Sequence, residues 1–140
     1  MGYLKMDVLI ASYSSPLAAR RDYEALARLR NDGVIQESKG IVLVTSDEDA
    51  NVAAEETGGG LRGKLVGRSV KRSVRNQLPP DSGTVVAVFD AMVRDEVDKV
   101  VTNHVRKAYS PVEGDDEQAL DAALEAAEQE LAGGSQPTAH

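Results

Sequence analysis

Residues Gly58 to Arg75 read GGGLRGKLVGRSVKRSVR, with six Lys or Arg and no acid, in a chain whose formal charge is −7. Gly58, Gly63 and Lys64 reproduce the Gly-x4-Gly-Lys spacing of a phosphate-binding loop, where backbone N–H groups cradle phosphates and the lysine reaches them. Magnesium would need a Ser or Thr after the lysine, and Leu65 stands there. Such a loop also follows a buried parallel strand, for which AAEET is a poor candidate. Asp47, Asp49 and Asn51 fall at the first, third and fifth places of a calcium loop. Its sixth place holds Val52 where a sharp turn needs Gly, and its twelfth holds Gly58 where Glu should chelate. A polar hairpin turn accounts better for DEDAN, because Asp and Asn favour turns.

Other chemistry is thinly supplied. The absence of Cys removes thiolate catalysis, disulfides and Cys-based zinc sites together. His104 and Tyr13 are the candidates for an acid or base, and either would need a neighbour that spacing does not place. Ser12, Ser14 and Ser15 lack the Gly-x-Ser-x-Gly context of an activated serine. No catalytic residue, metal ligand or cofactor is assigned.

The basic stretch has a different logic on a helical wheel. At about 100° per residue, Val66, Val70 and Val74 share one side, while Lys64, Arg68, Lys71, Arg72 and Arg75 gather opposite. A basic amphipathic helix suits an anionic partner: an acidic protein surface, nucleic acid or an anionic membrane surface. Gly63, Gly67 and the valines weaken the helix, and no aromatic is present to stack on a base. The acidic counterpart is in the same chain. After Lys107 there is no Lys or Arg, and eight acids follow: Glu113, Asp115, Asp116, Glu117, Asp121, Glu125, Glu128 and Glu130. Leu120, Leu124 and Leu131 mark the apolar side of this final segment, so the insert is expected to dock there, within one chain or between copies. Charge would orient that contact and apolar surface would hold it. The alternative is two independent, solvated charged faces.

These segments hang on a recognisable series of elements. DVLIASY (Asp7 to Tyr13) is an apolar run of strand length. Ser15 as N-cap and Pro16 at the first helical position open a helix with Ala19, Tyr23, Leu26, Ala27 and Leu29 on its apolar side, and Gly33 ends it. Arg20, Arg21, Asp22, Arg28 and Arg30 are assigned to its other faces. A strand strongest at Ile41 to Thr45 turns through DEDAN into VAAEET, its antiparallel partner. TVVAVFD is the next strand. Asp90 then caps a helix expected to run through Val93, Val97, Val100, Val101, His104 and Ala108, with Arg106 and Lys107 at its C-terminal end. AYSPVEG is a short strand, and Asp115 with Gln118 forms a capping box for the last helix. This order predicts an α+β, ferredoxin-like βαββαβ sandwich with an extra hairpin, a basic insert and a C-terminal helix. Two helices are expected on one face of a mainly antiparallel sheet. A small doubly wound sheet is the alternative. The expected divisions are a domain over residues 1–114 with its insert at 58–83, an acidic amphipathic helix at 115–132, and a flexible tail at 133–140.

The stretches DVLIASYSSPLAARRDYEAL, GVIQESKGIVLVTSDEDANV, EETGGG and LPPDSGTVVAVFDAMVRDEVDKVV together resemble a bacterial family of unknown function often labelled uncharacterised membrane protein. The resemblance covers roughly residues 7 to 110, rests on pattern and not on a catalytic motif, and implies a ferredoxin-like core. It brings no established reaction and no functional residues. Typical members carry a long, glycine-rich apolar insert after the ETG-like stretch, whereas this insert is short and basic. A membrane-embedded state therefore loses its main support. No run approaches the ~18 apolar residues of a spanning helix, and no cleavable signal is visible, so a cytoplasmic location is expected.

The leading expectation is a non-enzymatic interaction or regulatory module that forms a homodimer or higher homo-oligomer, with the basic insert on an acidic surface. The alternatives are a peripheral binder of anionic lipid or nucleic acid, and a small ligand-binding protein or enzyme using a pocket on the sheet face. Self-association is expected because helices on one face would leave the other to be covered by a second copy.

Overall fold

The computed structural model describes residues 5–35, 40–58, 67–71, 78–114 and 117–133. Its elements are β1 (Met6–Tyr13), α1 (Pro16–Asn31), β2 (Gly40–Ser46), β3 (Val52–Gly58) and α2, helical over residues 67–71. They continue with β4 (Ser82–Asp90), a 3₁₀ turn at Ala91–Val93, α3 (Arg94–Val100), β5 (Arg106–Val112) and α4 (Glu117–Gly133). The α+β chain forms a five-stranded, wholly antiparallel sheet in the order β3-β2-β4-β1-β5.

Local signals in α1 act as expected. The Ser15 side chain accepts from Ala18 N at 3.1 Å, Pro16 opens the helix, and Gly33 leaves it at φ +83°, where a side chain would be strained. The β2–β3 hairpin is also as expected, paired without interruption from Gly40↔Gly58 to Ser46↔Val52. Asp47 organises its turn: one carboxylate oxygen accepts from the backbone N–H groups of Asp49 and Asn51, both at 2.9 Å. Those bonds hold the Asp47 carboxyl below its ordinary pKa, and Ala50 takes the left-handed conformation at φ 66°. The acids of DEDAN thus build a turn, and Asp47 already has hydrogen-bonding partners in it.

The sheet is covered on both faces, which corrects the expectation of helices on one face only. Leu9, Ala11, Tyr13, Ile41, Leu43, Val85, Ala87 and Phe89 pack with Ala19, Tyr23 and Leu26 of α1 and Val97 of α3. On the other face Val8, Ile10, Val42, Val44, Val86, Val88, Ala108 and Val112 pack with Leu120, Ala123, Leu124 and Ala127 of α4, and Val70 of α2 joins them. The physical reason is in the strands. β1 and β4 are apolar at consecutive positions, and a strand with only one buried face would alternate. The second face therefore has its cover within one chain.

The second correction concerns residues 101–112. The helix after Asp90 stops at Val100, so His104 lies in a loop, and Arg106, Lys107 and Ala108 belong to β5. Asp90 precedes the 3₁₀ turn without a side-chain capping bond. β-Branched Val97, Val100 and Val101 make a weak helix end. From Lys107 onward the pattern has period two, with Ala108, Ser110 and Val112 buried between less buried neighbours. Pro111 is tolerated because β5 is an edge strand.

Gly83 shows how closely α1 crosses β4. A Cβ added there would stand 2.6 Å from Ala19 Cβ, well inside contact distance. Gly83→Ala is expected to destabilise by about 1–3 kcal/mol through overpacking, with partial recovery in the Gly83→Ala/Ala19→Gly double variant. Denaturant titration measures both, and an unchanged midpoint in the single variant would refute the close approach.

Candidate functional site

The two charge blocks meet at α2 and α4. Arg68, only 22% exposed at its side chain, donates from Nε to Asp121 Oδ1 at 3.1 Å. Val70 packs in the cluster that contains Leu120, Leu124 and, at its margin, Leu131. The leucines meet the sheet as well as the insert, because the same cluster holds Val8, Ile10, Ala108 and Val112. Lys71 is exposed. Lys64, Arg72 and Arg75 lie outside the described residues, as do Val66, Val74, the proposed capping residue Asp115 and the tail beyond 133.

A second polar constellation lies under the N-terminal half of α1. Asp22 is 0% exposed. Its carboxylate accepts from Tyr13 OH at 2.8 Å, from Asn103 N at 3.1 Å and from Asn103 Nδ2 at 2.7 Å. This corrects its assignment to an outer face of the helix. Ala19, Asp22, Tyr23 and Leu26 are spaced i, i+3, i+4, i+7, so the helical spacing itself places Asp22 inside the apolar stripe. Burial foremost, then the bond to Asp22, pushes the Tyr13 phenol far above its ordinary pKa. Tyr13 is thereby kept protonated, and Asp22 has all its donors supplied by the protein. The three residues tie the loop before β5 to α1 and β1.

A third cluster clamps α3 onto β5. Asp98 accepts from Tyr109 OH at 2.8 Å and from Lys107 Nζ. Those hydrogen bonds, Lys107 first, hold its carboxyl below the usual range. The Arg94 guanidinium lies 4.3 Å from the Tyr109 ring centroid, a cation–π distance, and Phe89 meets the same ring edge-on at 6.2 Å. Arg94 also faces the buried Asp7 at 3.8 Å. Burial pushes the Asp7 carboxyl up, and Arg94 pulls against it. His104 is half-buried nearby, with Nδ1 shielded and without a hydrogen-bond partner among the described residues. No sequence signal beyond the alternation of β5 announced this cluster.

In both clusters these hydrogen bonds join protein groups to one another. A groove of about 250 Å³ lies between β5 and α4, lined by Ser110, Pro111, Glu113 and four alanines. Among the described residues no group of three or more His, Asp or Glu could hold a metal ion. No described helix is long and apolar enough to cross a membrane.

No family model, curated protein or solved structure matches the chain.

Proposed function

We propose that the chain is a non-enzymatic interaction module: a ferredoxin-like core whose basic insert docks on the acidic α4, and which acts by associating with copies of itself. The order β2-β4-β1-β5, with α1 and α3 as the crossovers, supports a ferredoxin-like reading in which β3 is an added strand outside β2. The family resemblance belongs to the same proposal. The observation that carries the docking is the bond from Arg68 to Asp121 beside the packed Val70, which joins the basic and acidic blocks within one chain. With the second sheet face covered by α4, self-association is proposed through the exposed edge at β3 instead. Tyr13, Asp22, Asp98 and Tyr109 are already used to hold elements together.

A partly exposed pair of this kind is worth about 0–1 kcal/mol, so its loss should loosen the insert without unfolding the core. In Asp121→Lys or Arg68→Glu, amide hydrogen exchange of residues 67–71 is expected to accelerate up to about fivefold. The double variant Arg68→Glu/Asp121→Lys should return toward the parent rate. Unchanged exchange in both single variants would remove the docking. Sedimentation of the parent as a single chain at every concentration would remove self-association.

A further inference from the structure

The structure leaves the sheet with two edges, and they are unlike. β5 carries Pro111, Arg106 and Lys107 and has α4 packed against it, all features that discourage another strand. β3 carries no Pro and no Lys or Arg. Its register with β2 runs without a bulge over all seven residues, so its outer edge is regular. Residues 51–56 are exposed, and among the described residues β3 pairs only with β2.

Edge acids commonly act as gatekeepers against pairing, yet here they do not stand alone. Arg20 reaches across from α1 and grips Glu55 through both of its terminal nitrogens. This holds the Glu55 carboxyl below its ordinary pKa. Glu56 is engaged as well. β3 is thus a regular edge on which the Glu55 charge is matched by Arg20.

We infer that β3 pairs with β3 of a second copy, antiparallel about a two-fold axis at Ala54, to join two sheets into one of ten strands; this rests on the proposed self-association and names its surface. The register is the one that pairs the whole strand while keeping acids from facing each other directly. With Ala54 opposite Ala54, Ala53 faces Glu55, Val52 faces Glu56 and Asn51 faces Thr57 of the other copy. Every residue from 51 to 57 then has a partner, and no acid lies opposite an acid. A two-fold axis at Glu55 would instead set carboxylate against carboxylate, which is unfavourable in a directly opposed pair. Ala53 is small, so the Arg20–Glu55 pair of one copy can lie over it in the other. The contact is isologous, so it closes at two copies and leaves no growing edge at β3.

The chain contains no Cys, which makes a direct test available. Directly opposed residues of antiparallel strands lie about 4.5–5.5 Å apart at Cα, within disulfide range. Full-length Ala54→Cys should form a covalent dimer under mild oxidation, while Glu96→Cys on exposed α3 should remain largely uncrosslinked. Ala54→Lys should raise the dimer dissociation constant up to about fivefold by opposing two lysines, and mixing it with Ala54→Glu should restore dimers as a mixed species. Position 54 is exposed, and unchanged circular dichroism would verify the fold in each variant. A dimer that Ala54→Lys does not weaken, with crosslinking at 54 no better than at 96, overturns the β3 axis while leaving self-association standing. A parent chain that sediments only as a monomer overturns both.

Discussion

Asp22→Ala is expected to cost about 3 kcal/mol or more of folding stability, read as a lower denaturant midpoint with an unchanged slope. The substitution removes a fully buried carboxylate and takes the acceptor from three donors: the buried Tyr13 hydroxyl and, on the more exposed Asn103, the backbone N–H and the side-chain amide. A buried polar group left unsatisfied costs about 1–3 kcal/mol, and relief of the carboxylate's own desolvation offsets part of the sum. Asp22→Asn should recover less than half, since its NH₂ faces donors. Tyr13→Phe should cost about 1–2 kcal/mol, and a double-mutant cycle with Asp22→Ala should show strong coupling.

The same site makes a pH prediction with a definite sign. In the folded protein the Tyr13 phenol titrates far above its unfolded value of about 10, so above that pH the unfolded chain loses a proton that the folded one keeps. The stabilisation is complete below about pH 10 and falls as pH rises further. Tyr109 is also raised, chiefly by burial and then by its bond to Asp98, so it contributes to the same alkaline loss. Tyr13→Phe should therefore flatten the alkaline limb without abolishing it. Parallel limbs in the two proteins, followed by urea midpoints from about pH 8 upward, would contradict the buried phenol.

Leu124→Ala is expected to cost about 2–5 kcal/mol, the range for deleting a fully buried leucine whose cavity does not collapse. Leu124 is 1% exposed within the α4-side cluster, whereas Leu131 is only partly buried at its margin. Leu131→Ala should accordingly cost about 1 kcal/mol. The contrast tests what α4 is. An acidic helix held by charge alone would lose little from either change and would detach in salt. A helix that covers Val8, Ile10, Ala108 and Val112 melts with the sheet, so Leu124→Ala should lower one cooperative transition and not create an early second one. Separate melting of α4 would break the link between insert, helix and core on which the proposed function depends.

Much of the scaffold is legible locally. Ser15, Pro16 and Gly33 delimit α1 because a cap, a fixed φ and a left-handed turn are properties of single residues. The hairpin at Asp47–Asn51 is legible for the same reason, since its side-chain to backbone bonds span only a few residues. The end of α3 is less so: its valines fit a helical stripe as well as they fit strand neighbours. Only the partners of β5 select the period-two alternation at Ala108, Ser110 and Val112. Among candidate site residues, the possibility of a contact between basic insert and acidic helix is readable from composition. The particular pair is not, because Arg68 could meet any of several acids on α4 by sequence alone.

What the residues determined unaided was most of the elements, the cap and stop of α1, the Asp47–Asn51 turn, and the separation of positive from negative charge, all set by forces that act within a few positions of the chain. Tertiary structure decided the rest. It placed Asp22 beside Asn103, 81 positions away, and Arg68 beside Asp121, 53 positions away, and it covered the second face of the sheet with α4. It also left β3 as a regular, exposed edge. These outcomes follow from packing two apolar sheet faces at once, a constraint that exists only when distant segments share one core.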